Sequence, residues 1–147
     1  MLSRFELGEG ETPKASIAAL AARPLLTDED VTHLRRRVLR FGCVTRAEAE
    51  ALFEIDAAPS AKPESWTALF VEALTDHIVW QSRPTGVLSP AQAGWVLSRV
   101  EAGRSLNGLA LLVNILAEAH EVPKSFLEAV KAQAAHWPGL EKIQPAA

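Results

Sequence analysis

Two short stretches do most to restrict the folds open to this chain: Gly42-Cys43-Val44-Thr45-Arg46-Ala47-Glu48 and Gly86-Val87-Leu88-Ser89-Pro90-Ala91-Gln92. Each reads glycine, any residue, aliphatic, Ser or Thr, two residues, then Glu or Gln, and they lie 44 residues apart. Glycine ends a helix in the left-handed conformation without steric cost. A hydroxyl followed three residues later by Glu or Gln has the spacing of a capping box. Each stretch therefore stops one helix and starts the next, and the chain is expected to contain two helix–tight turn–helix units.

The segments on either side carry helical periodicity. Thr12-Pro13 starts a short alanine-rich helix over 13–22 that stops before Pro24. Thr27 caps a second helix, with Asp28, Glu29 and Asp30 at its positive start and Arg35, Arg36, Arg37 and Arg40 towards its negative end. Val31, Leu34, Val38 and Phe41 form its apolar stripe and Gly42 stops it. Thr45 caps a third helix with Ala49, Leu52 and Phe53 inward. A fourth, about 64–81, places Trp66, Leu69, Phe70, Ala73, Leu74, His77, Ile78 and Gln81 on one face and Glu72, Thr75 and Asp76 on the other. Ser89 caps a fifth, with Ala93, Val96, Leu97 and Val100 inward and Gly103 as its stop. Ser105 caps a sixth running to about Glu121, apolar nearly all round from Leu109 to Ile115 and so central to the core. Pro123 opens a seventh through Phe126, Leu127, Val130 and Ala134.

No segment has the alternating β-branched pattern of a sheet. The expected fold is all-α, a compact bundle of six to seven helices. Residues 1–12 are expected to be an N-terminal arm, 13–138 a single helical domain and 139–147 a tail. The 147-residue length suits one domain with a proper core. A net charge of −3 gives no general attraction to nucleic acid or acidic membranes. The lone cysteine, Cys43, excludes an intramolecular disulfide. Glu6, Glu9 and Glu11 stand where a signal peptide would be basic, and no apolar run is long enough to span a bilayer. A cytoplasmic location with no membrane partner is the expectation.

The repeated stretch resembles the calcium-binding EF-hand loop. That loop has glycine at its sixth position, an aliphatic residue at the eighth, often Ser or Thr at the ninth, and Glu at the twelfth. Gly42, Val44, Thr45 and Glu48 match that spacing, as do Gly86, Leu88, Ser89 and Gln92. It is also similar to helix junctions of the bacterial TerB-like tellurite-resistance family. Over residues 28–102 the resemblance implies a helical stress-response protein with metal-linked behaviour. The ligand positions depart from both patterns: Arg37, Leu39 and Phe41 in the first copy, Gln81, Arg83 and Thr85 in the second. Calcium needs six to eight oxygens, so neither loop is expected to bind metal, and no cofactor is expected.

Four arginines, Arg36, Arg37, Arg40 and Arg46, form a candidate anion contact with His33. A helix-turn-helix reading fails because Glu48, Glu50, Glu54 and Asp56 crowd the would-be recognition helix, so no nucleic-acid partner is expected. Asp30 and His33 have the spacing of half a di-iron site, but no second pair exists. His77, on an apolar face, is the one candidate catalytic residue. His120 and His136 suit helix ends. Cys43 is either a thiolate activated by Arg40 and Arg46 or a small buried hydrophobe. Among the four tryptophans, Trp66 belongs to the core, whereas Trp80 and Trp95 fall off the apolar stripes as candidate interface anchors. The leading expectation is a non-enzymatic interaction or adaptor module with a protein partner or self-association. The alternatives are a TerB-like stress protein and an enzyme using His77.

Overall fold

A computed structural model of the chain describes residues 19–43 and 45–136. The expected arm, the tail, the Thr12-Pro13 cap and the aliphatic position Val44 lie outside the described residues. A helical turn over 19–21 leads into α1 (Asp28–His33), which continues as a π turn over Leu34–Val38. Then follow α2 (Arg46–Ala57), α3 (Glu64–Thr75, continuing as a π turn over Asp76–Trp80), α4 (Pro90–Gly103), α5 (Leu106–Glu118) and α6 (Lys124–Ala134). The described residues form helices and no strand, as an all-α bundle requires.

The caps act where the sequence puts them. Thr27 with Asp30 and Thr45 with Glu48 close reciprocal capping boxes, while Ser89 and Ser105 each accept an amide from the first turn that follows. Each satisfies donors that the helix start leaves unpaired. Gly42 and Gly86 have φ of 82° and 80°, the left-handed stop that their positions call for. At the other end of α4 the stop differs. Gly103 is the last helical residue, and Arg104 takes the left-handed turn at φ 49°.

The loops pair in an order that the 44-residue echo does not anticipate. The Leu26 amide donates to the Ala61 carbonyl at 2.9 Å, joining the segment before α1 to the one before α3. The Leu88 amide donates to Glu121 at 2.9 Å and the His120 amide to Gly86 at 2.7 Å, joining the segment before α4 to the one before α6. Helix starts at Thr27, Thr45 and Pro63 thus recur at Ser89, Ser105 and Pro123, about 60 residues later, as two sets of three helices. The two glycine stretches stand in unlike places: Gly42–Glu48 leads into the second helix of one set, Gly86–Gln92 into the first helix of the other. The loop pairing also shortens the sixth expected helix, which ends at Glu118 rather than near Glu121.

The two π turns account for the departures that follow them. The Leu39 amide donates to Leu34 at 2.7 Å and the Gln81 amide to Asp76 at 2.9 Å, five residues back in each case. One extra residue in a turn rotates everything after it by about 100°. Two consecutive apolar residues then enter the core, Val38 with Leu39 and Ile78 with Val79. Phe41, expected in the stripe, is turned out and 79% exposed. Gln81, expected inward, is exposed. Thr75 lies before the second turn and departs for another reason: expected outward, it is buried against α5, where it accepts a hydrogen bond from Asn114 at 2.9 Å.

At the centre, α5 packs most extensively on α3. Thr67 donates to Asn107 at 2.8 Å and Asn114 to Thr75, so the two helices run side by side in the same direction with polar clasps two turns apart. Leu109, Leu111, Leu112 and Ile115 of α5 are buried, as expected for the central helix. An aromatic chain ties the elements together: Trp66 to Phe70 within α3 at 5.7 Å, Phe70 to Phe53 of α2 at 5.3 Å, and Phe53 to Trp95 of α4 at 5.7 Å. The last two are edge-on, and such pairs contribute about 0.5–1.5 kcal/mol each beyond their burial.

Candidate functional site

Both π turns open onto one groove. Its floor is Leu39, at the end of the first π turn, with Leu69 and Ala73 of α3, and its wall is Trp80, the last residue of the second. The rim carries Glu72, Asp76 and Glu118, and Arg35 faces them from α1. The groove measures about 370 Å³. Interruptions of this kind in a helix are frequent at functional sites. Here they set the wall and the floor of one concavity.

Trp80 is held in place. Its indole Nε1 donates to Glu118 at 2.8 Å, and its ring meets the His120 imidazole edge-on at 5.7 Å, leaving it 36% exposed. Asn114 donates to the other Glu118 oxygen at 3.1 Å. Asp76 accepts from Gln81, and both side chains lie 3.3 Å from where a Cβ on Gly42 would sit. Arg35 and Glu72 form an exposed ion pair at 3.1 Å.

Trp95 has different surroundings. The Arg46 guanidinium lies 4.1 Å from its ring centroid, Phe53 meets its edge, and its Nε1 donates to Glu50 at 3.4 Å. Glu50 also pairs with Arg99 at 2.9 Å, and that hydrogen bond, followed by the one from Trp95, holds its carboxyl below the usual range. Trp95 is thus half-buried between α2 and α4.

The arginines do not converge. Arg36 and Arg37 line a shallow groove with His33, Thr32, Asp28 and Glu29, where two carboxylates oppose an anion. Arg40 lies over the Phe41 ring at 5.4 Å and Arg46 over Trp95.

His77 is 9% exposed, and its Nδ1–H donates to the Cys43 carbonyl at 2.9 Å. A carbonyl can only accept, so the neutral ring carries its proton on Nδ1. Burial is the main influence on this ring and pushes its pKa down. Cys43 is fully buried, and burial, with Glu48 and Asp76 adding to it, pushes its thiol up to about 12. Arg40 and Arg46 do not activate it, because desolvation of the thiolate and two nearby carboxylates prevail. The pair is a buried tie between α3 and the turn before α2. Among the described residues no three His, Cys, Asp or Glu side chains converge as a metal site.

One cluster escaped the sequence reading. Asp56, in the last turn of α2, accepts from Trp66 Nε1 at 3.0 Å, from Asn107 at 2.9 Å and from the Ser105 hydroxyl. Lys62 donates to the Ala58 and Ser60 carbonyls at 2.7 and 3.0 Å, just beyond the end of α2. Burial lowers the pKa of Lys62. The available signal was a buried-stripe tryptophan whose indole N–H needs an acceptor. Gln92 is a second case. Rather than closing a capping box, its amide turns away and donates to Ser82 at 2.6 Å.

Compared with protein-family models, with curated proteins and with solved structures, the chain gives no match. No helix among the described residues is long and apolar enough to cross a membrane.

Proposed function

We propose that this protein is a non-enzymatic interaction module whose docking surface is the groove between α1 and α3. The observation that carries this reading is Trp80, a partly exposed indole fixed by Glu118 and His120 above an apolar floor. Large aromatics in such settings supply most of the energy at protein interfaces. A ring already immobilised loses little further entropy when a partner arrives. His77 and Cys43 are buried and joined by the hydrogen bond from the His77 ring to the Cys43 carbonyl, neither lines this groove, and both serve the fold. Trp95, packed between Arg46 and Phe53, belongs with them.

Selection of binding peptides from a random display library tests the reading, with binders mapped by backbone NMR. Binders should perturb Leu39, Ala73 and Trp80, and Trp80→Ala should weaken them about tenfold or more. Trp95→Ala should lower stability and leave binding unchanged. Binders that map elsewhere, or that ignore Trp80→Ala, overturn the reading, and so does a library that yields none.

A further inference from the structure

We infer that the occupant of this groove is a second copy of the same chain, docked about a two-fold axis with Phe41 of each copy in the groove of the other. The inference rests on the groove being a docking surface and adds the identity of what docks.

Three observations converge on it. The first is Phe41, 79% exposed and the most exposed large apolar side chain among the described residues. It is bracketed in sequence by Leu39 and Gly42, which both line the groove, so an aromatic knob stands at the edge of an aromatic-walled hole. The second is charge. Asp76 and Glu118 accept only from neutral donors, Gln81, Trp80 and Asn114, and keep their negative charge uncompensated by any described ion pair. Beside Leu39, Arg40 joins no ion pair among the described residues and lies over the Phe41 ring.

The third is that knob and hole, and Arg40 and the acidic rim, form one face, since Leu39 and Gly42 on either side of Arg40 and Phe41 both line the groove. Such a face is complementary to itself after a two-fold rotation, the symmetry by which most soluble homodimers form. Rotation brings Arg40, which accompanies Phe41, onto the acidic rim of the other copy, twice per dimer. A free cationic segment would neutralise the rim but would meet Arg35 and Arg40 on the opposite bank. A second copy satisfies both banks together.

Sedimentation of the full chain over a wide concentration range tests this, using charge-reversed variants. The wild-type chain should show a monomer–dimer equilibrium that weakens with salt. Phe41→Ser should weaken it about tenfold or more with an unchanged circular dichroism spectrum. A variant with Arg40→Glu and another with Glu72→Lys and Asp76→Lys should each be monomeric alone. Mixed, they should form a heterodimer, an outcome that a fold defect in either could not produce. A chain that stays monomeric at the highest concentration, or a dimer indifferent to Phe41→Ser, overturns the inference. So does a mixture of the two variants that stays monomeric. If the wild type is monomeric but a cationic peptide occupies the groove and is lost on Trp80→Ala, self-docking is overturned while the interaction module stands. If the groove takes neither, both fail.

Discussion

The indole of Trp66, wholly buried in α3, donates its N–H to the carboxylate of Asp56 in the last turn of α2 at 3.0 Å. A carboxylate there opposes the helix dipole. It persists because Ser105 and Asn107 also donate to it, which anchors the start of α5 to the end of α2. The Ser105 oxygen meanwhile accepts the Gly108 amide, so one hydroxyl caps α5 and tethers it.

Asp56→Ala should therefore destabilise the fold by about 3 kcal/mol, because it strands three donors, one of them a buried indole. Asp56→Asn should cost less, since an amide oxygen still accepts the indole N–H. Urea denaturation of the two variants beside the wild type measures both.

The two left-handed glycines should respond unequally to alanine. A Cβ at Gly42 meets only the ends of the Asp76 and Gln81 side chains, at 3.3 Å, and both can move aside. Gly42→Ala should then cost the conformational strain alone, about 1–2 kcal/mol. A Cβ at Gly86 would lie 2.5 Å from the His120 ring, which is held against Trp80. Gly86→Ala should cost distinctly more, and adding His120→Ala should recover part of the loss. Equal midpoints for the two single variants in thermal melts would contradict this account.

Arg104 offers the opposite case. It holds φ 49° although a glycine precedes it by one residue. Arg104→Gly should stabilise the chain by about 0.5–1 kcal/mol, the relief of left-handed strain less the extra freedom glycine brings to the unfolded state. A rise in melting temperature checks the sign.

His77 should make stability depend on pH. Burial holds its pKa below the ordinary 6.5, although the Cys43 carbonyl, Glu48 and Asp76 pull upward; Arg46 adds to the lowering. Between the depressed value and 6.5 the unfolded chain therefore binds more protons than the folded one. Its contribution is complete above about 6.5 and is lost as pH falls towards the depressed value. His77→Gln should flatten this limb of the stability profile, and an NMR titration of the ring should read a midpoint below 6.5.

Cys43 works in the other direction. With its thiol raised from 9.0 to about 12, the folded chain stays protonated where the unfolded chain ionises, so stability declines as pH rises above 9. At neutral pH the native thiol should resist alkylation and react only at the rate at which the chain opens. Prompt modification of the folded protein would place Cys43 elsewhere than in the core.

Much of this architecture was legible beforehand because helix capping acts within three residues. Thr27, Thr45, Ser89 and Ser105 each cap the helix their spacing announced, and Gly42 and Gly86 take the left-handed stop. Trp80 and Arg40 could be singled out on the same basis, as residues off an apolar stripe or at a helix end. The groove that gives them a joint meaning could not. A period of 3.6 residues assigns faces correctly only until a turn takes an extra residue, and both helices that form the groove contain such a turn.

What the sequence determined alone is therefore the helical class, most of the helix starts and the apolar faces as far as the π turns. The tertiary structure decided the phase beyond those turns. It buried Leu39 and Val79 and put Phe41 in solvent, because two adjacent apolar residues at each turn gain more from the core than regular hydrogen bonding would return. It also chose which loops pair and which donors reach Asp56. Those contacts join residues far apart in the chain, and their energies exist only once the helices have been brought together.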